Sequence, residues 1–371
     1  MEPAIEIRDL SYRYRGQKRL ALQGINLQAQ RGDFLVIMGP SEAGKSTLSE
    51  CLNGLVPHFF RGKYQGQVAV LGKNTRECSV AEMAEHVGLV FQDFESQLFS
   101  TNVALEVAFG PENFAVPWEE MDARVKRSLA LVGLTGLEDR TPASLSGGQK
   151  QKLAIASVLA MEPSVLCMDE PTTDLDPISK LGIFAIADEL RRNREMTLII
   201  VEHETEEALK AQRIVLMKEG AILRDGPAAE VLREVDLMES IGVQPLQVPL
   251  YFKRLGAAAL PLTVDEGVEA FRSLGWRIDP AACEALGQRD AARGQAYGDV
   301  LIRVKGLTHQ YPGRVDALRG VDLEIRRGEF VAVVGQNGSG KTTLVKHFNG
   351  LLEPTEGAVL VGGEDTRQQG V

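Results

Sequence analysis

The sequence predicts an α/β fold with a mainly parallel core sheet built around a phosphate-binding loop, and it predicts that this fold begins twice in one chain. The apolar run Phe34–Met38 leads directly into 39–47, and together they match strand, G-x-x-x-x-G-K-[ST] and helix. A second match occupies 335–343. Polar residues follow three more apolar runs, as at the ligand-binding edge of an open α/β sheet. These runs are 87–91, 165–168 and 197–201.

Each residue type in the first loop suits the binding of a nucleoside triphosphate. Gly39 and Gly44 let the backbone turn tightly close to phosphate oxygens, and the helix that follows directs free N–H groups at them. Lys45 supplies a cation for the β- and γ-phosphates, and the hydroxyl of Ser46 is placed to ligate Mg²⁺. The loop therefore predicts a nucleotide site that contains Mg²⁺.

The two loops belong to a longer repeat. Gly39 and Gly335 are 296 positions apart, and the same offset relates 31–34 to 327–330. It also relates Asn53 to Asn349. A repeat of this length indicates that a whole domain was duplicated.

The second copy matches only the beginning of the first. At the same offset Val371 is the counterpart of Thr75, so the second copy has a phosphate loop but no counterparts of the later polar residues. A complete copy would extend to about residue 531, and we expect a fragment or an interrupted reading frame. The expected parts are a complete first domain, a linker with short helical segments and a partial second domain, at 1–235, 236–298 and 299–371.

Composition and charge restrict the class of protein. The chain has 371 residues and a net charge of −10, which argues against a nucleic-acid surface, although a local basic patch would be compatible with it. No apolar run approaches the roughly 20 residues that span a bilayer, and the N-terminus lacks a basic and apolar leader. We expect no signal peptide, no transmembrane segment and a peripheral or cytosolic protein. The cysteines lack metal-like spacing, which predicts reduced thiols: Cys51, Cys78, Cys167 and Cys283.

Short strands are predicted over 4–34, before the first phosphate loop. Residues 5–8 alternate between apolar and polar types, and 22–27 is a second candidate strand. Tyr12 and Tyr14 lie in this region. A tyrosine here could stack on adenine or simply pack within the sheet, and the residues alone leave both readings open.

The middle of the first domain predicts alternating helices and strands. A helix over 48–55 and a strand over 67–71 precede the strand that ends at Gln92, whose amide could reach Mg²⁺ or a water beside the γ-phosphate. Residues 102–137 look mostly helical, with Pro111 and Pro117 breaking the pattern.

A serine and two glycines open the next predicted helix, which covers 150–161. They expose several N–H groups that could face an anion, or they form an ordinary N-cap with a flexible entry loop. The residues concerned are Ser146, Gly147, Gly148 and Gln149.

Two later strands end in residues with acid–base chemistry. The strand over 165–168 is followed by Asp169 and Glu170, of which one could hold Mg²⁺ and the other orient or deprotonate a water. The strand over 197–201 leads to His203, whose imidazole could donate to a γ-phosphate oxygen. Because the carboxyl ends of parallel strands share one sheet edge, we expect these groups to meet Lys45.

Taken together, these segments resemble the motifs of ABC-type ATPases. Those enzymes are P-loop NTPases in which an antiparallel β subdomain and a helical subdomain flank a mainly parallel core sheet. The order and spacing agree through most of the first domain, and the Leu-Ser-Gly-Gly-Gln signature separates this family from other P-loop enzymes. The corresponding Walker A, Q-loop, signature, Walker B, D-loop and H-loop segments are 39–47, Gln92, 145–149, 165–170, 173–176 and His203.

The resemblance implies a role for each matched residue. Glu170 would be the general base for ATP hydrolysis, His203 would contact the γ-phosphate, and Tyr14 would stack on adenine. Mg²⁺ would be coordinated by Ser46, Gln92 and Asp169. The phosphates would be bound by the loop residues Gly39, Gly44, Lys45, Ser46 and Thr47, with Gly335, Gly340, Lys341, Thr342 and Thr343 as their counterparts in the second copy.

The resemblance also implies partners. In this family two modules sandwich two ATP molecules head to tail, so the signature residues Ser146 to Gln149 would contact ATP held by an opposing module, in the same chain, in another chain or in a homodimer. Segments 87–99 and 106–113 resemble the ATPase subunits of energy-coupling factor importers, which take up vitamins or transition-metal ions. Gln92 and the helical segment after it would face an integral membrane subunit at the cytoplasmic side of the membrane.

Two departures and two alternatives accompany this interpretation. Glu42 stands where the second copy has Gly338 and where the family usually has glycine, and we expect its carboxylate to point to solvent. The second copy also lacks a general base.

The alternatives are a nucleotide switch that does not hydrolyse ATP, and a soluble ABC-type ATPase that acts on ribosomes or DNA. The pairing of Asp169 with Glu170 argues against the first, and the acidic charge balance argues against the second.

Overall fold

A computed structural model describes residues 2–173, 175–192, 196–295, 297–313 and 315–368. The chain forms two compact units, Met1–Ala270 and Phe271–Val371. The segment predicted as a linker, 236–298, is therefore shared between the units, and the domain bounds given above stay a prediction. Among the described residues, no helix is both long and apolar enough to cross a membrane.

A six-stranded sheet forms the centre of the first unit, in the order β10-β9-β3-β8-β7-β6. The five strands from β9 to β6 run parallel, and β10 pairs antiparallel with β9, which confirms the mainly parallel core. β3, β7 and β8 are buried at every position. The bounds are β3 Phe34–Met38, β6 Val87–Val90, β7 Val165–Asp169, β8 Thr197–Val201, β9 Arg213–Lys218 and β10 Ala221–Pro227.

A second, antiparallel sheet covers one face of this core, in the order β2-β1-β4-β5. Side chains alternate along β3, so Leu35 and Ile37 pack with the antiparallel sheet, whereas Val36 and Met38 pack with helices on the opposite face. The core sheet is thus the middle of three layers. The bounds are β1 Ile5–Tyr14, β2 Leu22–Ala29, β4 Gly62–Val70 and β5 Lys73–Asn74.

Helices account for most of the remaining first unit, and α4, α5 and α6 form a helical cluster. Pro111 does not break its helix as expected. It lies in the last turn of α4, which ends two residues later, whereas Pro117 immediately precedes α5. The helices are α1 Lys45–Leu52, α2 Leu55–His58, α3 Val80–Ala84, α4 Val103–Asn113, α5 Trp118–Val132, α6 Gly147–Leu159, α7 Pro177–Arg192, α8 Thr205–Ala208, α9 Ala228–Val231, α10 Val235–Ile241 and α11 Gln247–Arg254. The next helix, α12 Val264–Ser273, begins in the first unit and ends in the second.

The second unit repeats the antiparallel sheet, in the order β12-β11-β13-β14. It also contains α13, a helix of 16 residues within the stretch where the sequence predicted a linker with short helical segments. Residues 330–334, the counterpart of buried β3, form no strand, and the side chains of Phe330 and Val334 are 93% and 86% exposed. The bounds are α13 Pro280–Gln295, β11 Val300–Tyr311, β12 Val315–Arg326, α14 Lys341–Phe348, β13 Glu356–Val361 and β14 Glu364–Asp365.

Close packing of α6 on β6 depends on Gly88. A Cβ at this position would lie 2.3 Å from Val158 Cγ1, so Gly88→Ala should lower the free energy of unfolding by about 1–3 kcal/mol. Gly182→Ala in α7 is the control, because its Cβ would approach only the flexible end of Lys152. That change should leave stability unchanged or raise it by up to about 1 kcal/mol. Urea denaturation of both variants checks the prediction, which is wrong if their midpoints coincide.

Candidate active site

The carboxylate of Glu170 is the point at which the expected catalytic residues meet. Its Oε1 lies 3.9 Å from Lys45 Nζ and also contacts Nε2 of His203. Its Oε2 accepts a hydrogen bond from Gln92 Nε2 at 2.8 Å, and a weaker one from Thr173 Oγ1 at 3.3 Å. One carboxylate is therefore shared by a cation, an imidazole, an amide and a hydroxyl.

Sheet topology brings these residues together from distant parts of the chain. Lys45 follows β3, Gln92 follows β6, Glu170 follows β7 and His203 follows β8, and these four strands are parallel. Their carboxyl ends consequently lie at one edge of the sheet, as the sequence predicted.

Lys45 is held against the phosphate loop. Its ammonium donates hydrogen bonds to the backbone oxygens of Gly39 and Pro40, each at 3.0 Å. Burial lowers the pKa of Lys45, while the neighbouring carboxylates of Glu170 and Asp169 oppose that shift. The ammonium of Lys45 is thus held by backbone oxygens of the loop that would also surround the phosphates.

Asp169 and Ser46 form a small oxygen-donor pair that fits Mg²⁺. Asp169 is 6% exposed, and its Oδ1 has no hydrogen-bond partner among the described residues. Burial raises the pKa of Asp169, and a hydrogen bond from Ser46 partly offsets this. A buried, unsatisfied carboxylate oxygen is costly unless it meets a cation. Mg²⁺ commonly uses one or two protein oxygens and takes its other ligands from phosphates and water.

The surroundings of Glu170 favour its ionised form. The hydrogen bond from His203 is the largest influence and lowers the pKa of Glu170, with burial acting in the opposite direction and Lys45 adding to the lowering. Glu170 itself has a φ of 47°, in the left-handed region, and its N–H donates to Val201 O at 2.9 Å. The backbone is thus held in a conformation that a non-glycine residue adopts only at a cost.

Tyr14 lies beside the first turn of α1. Its hydroxyl is hydrogen-bonded to Thr47 Oγ1 at 3.0 Å and donates to Glu50 Oε2 at 2.9 Å, and its ring packs edge-on against Tyr12. Burial is the main reason why the pKa of Tyr14 is raised. Tyr14 therefore adjoins the phosphate loop, and stacking on adenine stays a prediction.

The signature segment caps α6. Ser146 Oγ accepts a hydrogen bond from Gln149 N at 3.3 Å, and Gln149 Oε1 accepts one from Ser146 N at 3.0 Å, which forms a capping box. Gly147 and Gly148 make up the first turn. The ordinary N-cap weighed above is therefore present, and contact with ATP held by another module stays a prediction. Asp174 of the D-loop segment lies outside the described residues.

Sequence reasoning missed two acidic residues beside the site. Glu202 is 2% exposed; its carboxylate accepts from Thr172 Oγ1 and from His203 N, each at 3.0 Å, and burial raises its pKa. Glu50 accepts from Tyr14 as described above. The sequence could have indicated Glu202, because this residue directly follows the apolar run 197–201 and precedes His203, so it lies at the same edge of the sheet.

In the second unit the phosphate loop repeats the first in its lysine contacts. Lys341 Nζ donates to Gly335 O and Gln336 O, each at 2.7 Å, and Tyr311 Oη lies 3.3 Å from Thr343 Oγ1. The N-cap of α14 is Gly340, which is left-handed like Gly44. The described residues of the second unit thus repeat the lysine contacts and the left-handed glycine of the first phosphate loop.

Comparison with known proteins identifies the family of the chain. The family model described as ABC transporter matches residues 22–173 and 318–371. The chain belongs to the ABC transporter family, among its ATP-binding proteins. A putative ABC transporter ATP-binding protein of Caldanaerobacter subterraneus is 58% identical over 99% of the chain, and one of Methanosarcina mazei is 38% identical over 98%. The chain spans 65% and 64% of the lengths of these two relatives.

Solved structures of ABC cassettes share the fold. cbiO1 from Clostridium perfringens, described as part of the ABC transporter complex cbiONQ, is 32% identical with a TM-score of 0.59, over 69% of this chain and all of that one. MJ0796, a dimeric ATP-binding cassette in a post-hydrolysis state with ADP and Pi, is 28% identical with a TM-score of 0.54, over 60% and 98%. These likenesses confirm the predicted ABC-type fold.

Glu42 of this ABC protein should contribute little to ATP affinity. Its side chain is exposed, and its φ of 63° is one that glycine adopts freely, as Gly338 does at 81°. Glu42→Gly should change ATP affinity by at most about fivefold, the upper end for an exposed charge. It should also leave thermal stability equal or higher, because backbone strain is relieved. Calorimetric titration with ATP checks this, and a large gain in affinity would contradict it.

Asp169→Asn should make the ligand-free protein more stable at neutral pH. Burial raises the pKa of Asp169 above its unfolded value of about 3.9, so ionisation is penalised only in the folded state. The penalty is absent below the unfolded pKa and complete above the folded pKa. The gain from asparagine should therefore disappear as the pH falls to about 4.

Thermal unfolding of Asp169→Asn and wild type across this pH range tests the point. Asp139→Asn is the control, because Asp139 is exposed. A melting temperature for Asp169→Asn below that of wild type at neutral pH would show that the buried carboxylate is not a stability cost.

Proposed function

We propose that this chain is the ATP-binding and ATP-hydrolysing part of a membrane importer of the energy-coupling factor type, for a vitamin or a transition-metal ion. The observation that carries the proposal is the meeting of Lys45, Gln92 and His203 at the Glu170 carboxylate. Hydrolysis of a phosphoanhydride needs a base, a cation and hydrogen-bond donors at one place. The likeness to cbiO1, described as part of a transporter complex, supports the importer assignment.

In this proposal Glu170 positions the attacking water and accepts its proton. Its lowered pKa keeps the carboxylate ionised at neutral pH, and Gln92 fixes the orientation of one of its oxygens. Lys45 and His203 lie at the other oxygen, where they could turn to the γ-phosphate. Bound Mg²⁺, held by Asp169 and Ser46, would neutralise charge on the phosphate oxygens. Ordered donors at a buried site stabilise the transition state because they need little reorganisation.

Closure of the site would require a second module. The capping box at the start of α6 fixes this turn and uses the N–H groups of Ser146 and Gln149, and the N–H groups of Gly147 and Gly148 would face an anion. We propose that this turn contacts ATP on an opposing module, arranged head to tail. The dimeric state of MJ0796 supports such pairing. The partner module would come from the same longer chain or from a second copy.

An exposed apolar surface on the helical cluster suits a membrane subunit. Phe99 and Phe109 are 62% and 46% exposed and pack edge-on with their ring centres 4.6 Å apart. The buried carboxylate of Glu106 accepts hydrogen bonds from the backbone N–H groups of Phe99 and Ser100, at 2.9 and 2.7 Å. The turn that presents Phe99 is thus fixed. We propose that an integral membrane subunit docks here, which would place the protein at the cytoplasmic face.

Glu170→Gln should separate an ATPase from a nucleotide switch. The amide keeps the shape of the side chain but cannot accept the proton, so ATP turnover should fall by about 100-fold or more while ATP binding persists. Phosphate release and equilibrium binding of ATP measure the two properties. Glu119→Gln, at an exposed position of α5, should match wild type in both. Equal, slow turnover by wild type and Glu170→Gln, with both binding ATP, would favour the switch.

A further inference from the structure

The outer face of the antiparallel sheet carries a block of four cations, which we call the basic block. In the pairing of β1 with β4, Arg13 lies directly opposite Lys63. One step further along, the N–H of Arg15 donates to the carbonyl of Arg61 at 3.0 Å. Arg15 and Arg61 each lie one residue beyond the end of a strand, so the four cations lie together at one end of the paired strands β1 and β4. Arg15, Arg61 and Lys63 are exposed and Arg13 is half-buried.

This face is turned away from the nucleotide site. Tyr14 lies between Arg13 and Arg15, and its hydroxyl contacts Thr47 in α1. Because neighbours on a strand point to opposite faces, Arg13 points away from α1. The basic block is therefore not placed to receive the phosphates of ATP bound at Lys45.

No acidic residue is close in sequence to the basic block. The sequence contains no Asp or Glu over 10–32 or over 51–76. Among the described residues, none of the four cations takes part in an ion pair. Like charges placed directly opposite each other on a sheet are destabilising, so the arrangement works against folding unless an anion approaches it. It is also a local reversal of charge in a chain with a net charge of −10.

The second unit provides an internal comparison, because it has the same sheet without the cations. The counterparts of Arg13 and Arg15 are Gln310 and Pro312, and Gln310 donates to Asp316 at 2.8 Å. The strand opposite begins at Glu356. The basic block is thus not a requirement of this sheet.

We infer that the basic block is a contact surface for anionic phospholipid headgroups. An extended cationic face attracts a negatively charged leaflet without needing a shaped pocket. Phe59, two residues before Arg61, is 71% exposed and can insert into the boundary between headgroups and acyl chains. The inference rests on the proposed function, which places the chain beside a membrane. A lipid surface is favoured over a free phosphate because the cations form a flat array rather than a pocket.

Vesicle sedimentation of the full chain tests the inference. Vesicles of phosphatidylcholine with one third phosphatidylglycerol are compared with vesicles of phosphatidylcholine alone, at low and high salt. We expect wild type to bind only the anionic vesicles, and to be released at high salt because the charges are exposed. Removing all four charges with R13Q/R15Q/R61Q/K63Q should weaken this binding on the order of 100-fold or more. R13Q/K63Q should give an intermediate loss.

The control variant removes four exposed, ion-paired cations elsewhere, so it has the same net charge: K126Q/R127Q/K210Q/R254Q. It should bind the vesicles like wild type. Loss of like-charge repulsion should leave the fourfold variant at least as heat-stable as wild type, and its ATP turnover should be unchanged. Equal binding by the fourfold variant and wild type, or tighter binding to a uridine oligonucleotide than to vesicles, would overturn the inference. Failure of ATP turnover in wild type would count against the proposed function alone.

Discussion

The parallel pairing of four strands is the constraint on which the site depends. Residues more than a hundred positions apart reach one carboxylate only because β3, β6, β7 and β8 all end at the same edge of the sheet. The strands are almost wholly buried, so a slip by one residue would exchange the two faces of the core. Packing of the strands therefore places Lys45, Gln92, Glu170 and His203 at one edge, whatever bonds they form with each other.

The same arrangement collects ionisable groups in a place that disfavours them. Lys45, Asp169 and Glu202 are each less than a tenth exposed, and burial shifts the pKa of each toward its neutral form. The site thus carries a stability cost that the three-layer core has to offset. A cost in folding stability of this kind is common where a protein must bind a charged ligand and a cation tightly.

Much of this could be predicted from the sequence, for reasons that are local or periodic. Buried strands such as Thr197–Val201 show as apolar runs, the loop residues show as a motif, and their meeting follows from parallel topology. What could not be predicted depends on contacts between side chains that are distant in sequence. The bond from Tyr14 to Glu50 is one case, and the continuation of α4 past Pro111 is another, because tertiary packing outweighs a local preference.

The exposed segment 330–334 leaves backbone groups and apolar side chains open to pairing. In the first unit the corresponding segment, β3, is paired with a strand on each side, whereas 330–334 pair with no strand among the described residues. Unpaired amide and carbonyl groups beside bulky apolar side chains are a template for intermolecular β-pairing. A strand that pairs with this segment would therefore cover its polar backbone groups and its apolar side chains at the same time.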